Sequence, residues 1–223
     1  MNKVFFIGAG PGDPQMLTLQ GAEALKQCQV VYYAEPYQQT FAELLAGKRL
    51  LVPFDYGFHQ LLEQLEQQRQ DAPVAFLVPG DLTFYSPYQA LVEHLSSAAE
   101  VIPGVGIANA ASAKLKRTFD LPSVCDQALI ISPKTLRENG PRLEELARPR
   151  VSLLIYMNNM PLADLVAKLK CGDGSDVQIA LLHRLGLPEE KVLLATLDTI
   201  VHACAGVDYF YIDQPEKRPA LTF

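Results

Sequence analysis

The sequence predicts an α/β protein assembled from parallel β-α-β units, divided into an N-terminal domain over residues 1–117 and a C-terminal domain over 118–223. Three observations predict it. Short apolar runs of strand length alternate with segments whose apolar residues recur every three or four positions. Glycine-rich turns follow three of those runs, where open α/β sheets bind their ligands. Hydrophobic residues make up 49% of the 223-residue chain and charged residues 20%, a composition that can bury a sizeable core.

The elements follow in order. Residues 4–8 read as a first strand and 18–27 as a helix with Leu19, Ala22 and Leu25 on one face. Residues 30–34 are β-rich. Residues 56–70 carry Phe58, Leu61, Leu62 and Leu65 at helical spacing, a core-packing stripe. A strand at 74–78, a helix at 87–95, a strand at 100–102 and an alanine-rich helix at 107–115 complete the first domain. Residues 118–125 read as the crossing point. Strands are then expected at 128–132, 151–157, 177–183, 192–201 and 209–212, with helices at 142–147 and 162–170 and a turn at Cys171-Gly172-Asp173-Gly174-Ser175.

Charge and composition exclude several classes. A net charge of −6 speaks against a broad nucleic-acid-binding face. Mean hydropathy is only +0.08, and no run approaches the roughly 20 apolar residues of a membrane span. The apolar run at the N-terminus is too short for a signal-peptide core, so a cytoplasmic protein is expected. Cys28, Cys125, Cys171 and Cys204 are far apart, and His59, His94, His183 and His202 show no ligand spacing. Free thiols and no metal site are expected, with His183 and His202 structural.

The first glycine turn, Gly8-Ala9-Gly10-Pro11-Gly12-Asp13-Pro14, has the position of a dinucleotide fingerprint, and Glu35 lies where a ribose-binding acid would follow. Pro11, however, removes a backbone donor. Asp13 puts a carboxylate where a diphosphate would lie. A phosphate-free ligand with a positive centre suits this loop better, the sulfonium of S-adenosylmethionine among them. Pro79-Gly80-Asp81 and Pro103-Gly104-Val105-Gly106 follow two further strands. Three such turns at the same end of parallel strands suggest a cleft lined by main-chain groups.

The ordered set of that first loop, Leu17-Thr18, Val30-Val31-Tyr32-Tyr33, Gly80-Asp81 and Pro103-Gly104-Val105 resembles the tetrapyrrole (corrin/porphyrin) methylases. The resemblance implies two α/β domains of that type with a cofactor cleft between them, a homodimer, and S-adenosylmethionine as cofactor. It implies cofactor contacts at Pro11, Gly80, Asp81, Phe84, Gly106, Ile107, Met157, Ala180 and Thr196. Residues 4–12 and Gly21 resemble the precorrin-4 C11-methyltransferases. Phe84-Tyr85-Ser86-Pro87-Tyr88 and residues 126–137 lean toward the precorrin-2/cobalt-factor II C20-methyltransferases, and the two readings stand level. Ala34, where sirohaem-type enzymes carry aspartate, ranks a corrin substrate above uroporphyrinogen.

The implied reaction is attack of an electron-rich ring carbon on the sulfonium methyl, for which the protein supplies alignment. Asp13, Glu35, Asp81 and Tyr85 are candidates for removing a proton afterwards. A substrate rich in carboxylates calls for a local basic patch. Lys114, Arg117 and Arg184 are the candidates, within a wider set of Lys116, Lys134, Arg137, Arg142, Arg148 and Arg150. Tyr32, Tyr33, Tyr85 and Tyr88 could stack on a flat macrocycle or pack in the core. Two alternatives stand beside this reading. One is a dinucleotide-dependent oxidoreductase using the first loop. The other, motivated by Leu82 and Gly106-Ile107 where the family pattern differs, is a non-catalytic tetrapyrrole- or adenosyl-binding protein.

Overall fold

The structure, a computed structural model, describes residues 2–35, 37–133, 136, 140–158, 160–173 and 177–205. They form two compact units. The first runs to Ala110 and includes Leu185–Pro188; the second comprises Ala111–Arg184 and continues from Glu189.

In the first unit β1 (Val4–Gly8) leads to α1 (Leu19–Gln27), β2 (Val30–Tyr32), α2 (Tyr37–Thr40), α3 (Ala42–Leu45) and β3 (Arg49–Leu51). Then come α4 (Phe58–Asp71), β4 (Val74–Val78), α5 (Gln89–Leu95), β5 (Ala99–Ile102) and α6 (Ile107–Leu115), within which the boundary between the units falls. The five strands form a sheet of order β3-β2-β4-β1-β5, and every pairing is parallel. All residues of β1 and β4 are buried, as expected of central parallel strands covered on both faces.

The alternation of side chains divides the core in two. Phe5, Ile7, Val31, Ala75 and Leu77 pack under α1, α2 and α3 with Ala24, Leu25, Tyr37, Phe41 and Leu45. Val4, Phe6, Tyr32 and Phe76 pack on the other face under α4 and α5 with Leu61, Leu65, Leu91 and Leu95. Phe76 stacks between Tyr32 and Phe6 at centroid distances of 4.6 and 4.8 Å. Tyr32, Tyr33 and Tyr88 are therefore core residues rather than a stacking surface for a macrocycle. The Tyr32 hydroxyl is bonded to Gln64 and Gln68.

The second unit contains β6 (Gln127–Ile131), α7 (Leu143–Leu146), β7 (Val151–Ile155), α8 (Leu162–Asp173), β8 (Gln178–His183), β9 (Lys191–Thr196) and α9 (Ile200–Ala203). β6 and β7 pair in parallel, whereas β8 and β9 form an antiparallel ladder. The connection between β8 and β9 is too short for the crossover that a parallel pair needs, so the expectation of parallel units stops here.

Two other expectations change. The strand expected at 192–201 ends at Thr196 and gives way to α9. The Thr199 hydroxyl accepts the Thr196 amide at 3.1 Å, a local bond that turns the chain out of the ladder. Cys171 to Asp173 continue α8 instead of forming a turn, while Gly174, Ser175 and the strand expected at 209–212 lie outside the described residues. Between β2 and α4 the chain forms α2, α3 and edge strand β3, none of which has a clear period in the sequence. Residues 28, 125, 171 and 204 are free cysteines, and burial pushes the Cys28 thiol up to about 12. Among the described residues, no helix is long and apolar enough to cross a membrane.

Candidate functional site

The sheet order places the site. The connection leaving β1 packs on one face of the sheet, through α1; the connection leaving β4 packs on the opposite face, through α5. β1 and β4 are neighbours. Adjacent parallel strands whose connections part to opposite faces leave a crevice beyond their carboxyl ends. All three glycine turns emerge at that end, from β1, β4 and β5.

There the turns meet main chain to main chain. Gly10 and Gly80 form an isolated antiparallel bridge, with the Gly10 amide donating to Gly80 O at 3.0 Å and the Gly80 amide to Gly10 O at 2.7 Å. Both residues have positive φ, +72° and +67°, which glycine tolerates. The third turn is pressed against them: a Cβ added to Gly8 would lie 2.5 Å from the Gly104 nitrogen. Asp81 ties the second turn to the third, its Oδ2 accepting the Gly104 amide at 3.0 Å. Its Oδ1 accepts the Thr83 amide at 2.7 Å and the Thr83 hydroxyl. Partial burial alone would raise the Asp81 pKa. The hydrogen bonds from the Thr83 hydroxyl and from the Gly104, Thr83 and Leu82 amides outweigh it and hold the carboxyl below its ordinary value.

Six of the expected cofactor contacts gather around these turns. Gly80 and Asp81 are in the bridge and the clamp. Gly106 and Ile107 open α6 close by: a Cβ on Gly106 would sit 3.9 Å from the Asp81 Cβ, and one on Gly80 would sit 3.8 Å from the Ile107 nitrogen. Phe84, after the clamp, is 51% exposed, an apolar ring with no core to cover it. Pro11 is buried, and a Cβ on Gly186 would lie 3.0 Å from its Cγ. The other three belong to the second unit. Met157 follows β7 with φ +49° and is 47% exposed. Ala180 faces Leu194 across the β8–β9 ladder, and Thr196 ends β9 opposite Gln178.

The acid and base candidates separate by environment. The Asp13 carboxylate caps a short turn, accepting the Gln15 amide at 2.8 Å. Asp81 is held as an ionised acceptor by the bonds above. Glu35 is exposed beyond β2, which is not a neighbour of β1. Tyr85 is half-buried at φ +57°, a strained position for a non-glycine residue. Of the basic candidates, Lys114 pairs with Glu190 and Arg184 with Glu189 at 3.4 Å. Arg117 donates to Gln178 Oε1 at 3.0 Å. Arg142 and Arg150 pair with Glu145 and Asp126, and Lys134 and Arg137 lie outside the described residues.

The dinucleotide alternative loses its footing on two counts. In the nucleotide-binding order the first strand sits beside the second; here β4 stands between β1 and β2. The first loop also has few donors to offer a diphosphate. The Ala9 amide is bonded to Val78 O at 2.8 Å and the Gly10 amide to Gly80 O, Pro11 has none, and the Asp13 carboxylate occupies the following turn.

Three contributors were not among the expected site residues. Gly8 and Gly104 make the turns' contact possible and are legible only as glycines after strands. Tyr37, whose hydroxyl donates to Gly10 O at 2.7 Å, carries no motif signal at all.

Comparison with known proteins agrees with this architecture. The family described as Tetrapyrrole (Corrin/Porphyrin) Methylases matches residues 3–201. The chain is 31% identical to a precorrin-4 C(11)-methyltransferase of Pseudomonas aeruginosa over 92% of this chain and 85% of that one. It is 26% identical to a cobalt-precorrin-4 C(11)-methyltransferase of Methanocaldococcus jannaschii over 89% and 80%. Among solved structures it resembles a cobalt precorrin-4 methyltransferase with a TM-score of 0.74 at 23% identity, covering 91% of this chain and 89% of that one. It also resembles a uroporphyrin-III C-methyltransferase of Thermus thermophilus complexed with S-adenosylhomocysteine, with a TM-score of 0.70 at 24% identity, covering 91% and 86%. The fold, the meeting of the three turns and the match along most of the sequence lead to one conclusion: the chain belongs to the tetrapyrrole (corrin/porphyrin) methylases.

Proposed function

We propose that the protein is an S-adenosylmethionine-dependent C-methyltransferase of cobalamin biosynthesis acting at C11 of a precorrin-4-type tetrapyrrole. The observation that carries the cofactor assignment is the packed meeting of the three turns, where Gly8, Gly80 and Gly104 touch through backbone and leave no room for a Cβ at Gly8 or Gly104. Such a floor presents main-chain groups without side-chain bulk, which suits the flat adenosyl group and polar amino-acid tail of this cofactor. The names of the relatives support C11 over C20.

Pro11, Gly80, Asp81, Phe84, Gly106 and Ile107 would hold the cofactor; Met157, Ala180 and Thr196 stand on the resemblance. When bound, S-adenosylmethionine supplies the electrophilic methyl group. The chain's own part is positioning. Asp81 fixes the second and third turns, Gly10 and Gly80 fix the first and second, and the exposed Phe84 ring offers an apolar wall. Orientation of this kind accounts for on the order of 7–11 kcal/mol of barrier lowering at best. Lys114, Arg117 and Arg184 are the proposed carboxylate partners of the substrate, each exchanging its present partner for a substrate group. The protein acts as a cytoplasmic homodimer in this reading.

The test is calorimetry with S-adenosylhomocysteine and NAD, followed by incubation with isotopically labelled S-adenosylmethionine and precorrin-4 or its cobalt form. Micromolar-range binding of the first ligand, none of the second, and label at C11 are expected. Methyl transfer to precorrin-2 in a parallel incubation, with none to precorrin-4, would replace the C11 assignment by C20, and tight NAD binding alone would overturn the whole reading.

A further inference from the structure

Tyr37 opens α2, is 3% exposed, and lies beside Phe41 with ring centroids 5.3 Å apart. A buried phenol needs a hydrogen-bond partner, and many core carbonyls could serve. The acceptor here is the Gly10 carbonyl, at 2.7 Å. The same oxygen accepts the Gly80 amide at 2.7 Å. Both acceptor positions of one oxygen are thus filled at the point where the first turn meets the second. Burial raises the pKa of the hydroxyl well above its ordinary value, against a smaller opposing effect of the Gly80 backbone, so the group stays a donor through the neutral and mildly alkaline range.

The residues being held explain why such a bond matters. Gly10 and Gly12 have φ of +72° and +146°, and Pro11 between them gives no amide to tie the loop down. A glycine-rich loop has many conformations to lose, and any left unfixed in the free protein must be fixed when a ligand binds.

We propose that Tyr37 is a positioning residue for the cofactor site, its hydroxyl clamping the Gly10 carbonyl so that the first turn is already in its binding conformation against the second. The inference rests on the functional reading above, and deepens it by assigning a role to a residue outside every motif. Tyr37 touches neither the reacting atoms nor, on this account, the cofactor; it acts through Gly10.

The test compares the wild type with Y37F, which keeps the ring and deletes the hydroxyl, and with F41L, which trims the neighbouring ring without touching the turn. S-adenosylhomocysteine binding is measured by calorimetry, KM and kcat by methyl transfer, and stability by thermal melting. For Y37F the expected result is roughly five- to tenfold weaker binding, the size of one lost hydrogen bond, with KM for S-adenosylmethionine raised in step and kcat within about twofold. The Gly80 amide should exchange faster with solvent in Y37F. F41L should lose at least as much melting temperature and bind like the wild type. Unchanged binding by Y37F, or equal weakening in F41L, would overturn the inference alone. A wild type that fails to bind S-adenosylhomocysteine would overturn the functional reading and this inference with it.

Discussion

Asp81 accepts bonds from the Gly104 amide, the Thr83 amide and the Thr83 hydroxyl. With its pKa held below the ordinary 3.8, it is a poor proton acceptor near neutrality and a good organiser of backbone. Because the folded value lies below the unfolded one, its stabilising contribution is whole above 3.8 and is lost as pH falls through the lowered folded value. Binding of S-adenosylhomocysteine should therefore be insensitive to this group from pH 6 to 9. Asp81→Asn should destabilise by about 1–3 kcal/mol, the scale of hydrogen bonds to a charged acceptor, and weaken S-adenosylhomocysteine binding severalfold. Melting and calorimetry check both; an unchanged melting temperature would remove Asp81 from the clamp. The residue itself was legible in the sequence, as an acid after a glycine after a strand. Its role was not, because a carboxylate's preference for proton transfer or for backbone amides depends on which amides surround it.

The turns work as a set because each is the first stretch of chain beyond a parallel strand. β1 pairs with both β4 and β5, so their carboxyl ends are neighbours and the three turns must share space. Gly104→Ala tests this directly. Its Cβ would fall 2.5 Å from the Gly8 carbonyl carbon and would also meet the Gly80 carbonyl oxygen, all of it backbone with nothing flexible to give way. Destabilisation of about 1–3 kcal/mol is expected from the overpacking, together with at least a tenfold loss of S-adenosylhomocysteine affinity as the turns separate. A variant that melts and binds like the wild type would show that the turns do not touch. At this scale the strands with long apolar runs and the periodic helices α1, α4 and α6 could be read from pattern. The short helices α2 and α3 could not, since four residues span about one turn and display no period.

The first unit's sheet has its best-paired strands at its centre and three-residue strands toward one edge. β1 and β4 are hydrogen-bonded on both sides and buried throughout, while β3 is paired, among the described residues, only with β2 and is partly exposed. Amide exchange should accordingly be slowest in β1 and β4 and faster by orders of magnitude in β3; equal protection in β3 would contradict this ranking. By itself the sequence determined the α/β class, most of the elements and the three glycine turns, because periodicity and glycine placement are local properties written into neighbouring residues. Only the tertiary structure decided the strand order that puts β4 between β1 and β2, the antiparallel turn-back of β9 on β8, the burial of Tyr32, Tyr33 and Tyr88, and the hold of Tyr37 on Gly10. Apart from the β8–β9 turn-back, which a short connection closes, each of these is a contact between residues distant along the chain, and the choice among such contacts is made by how whole elements pack.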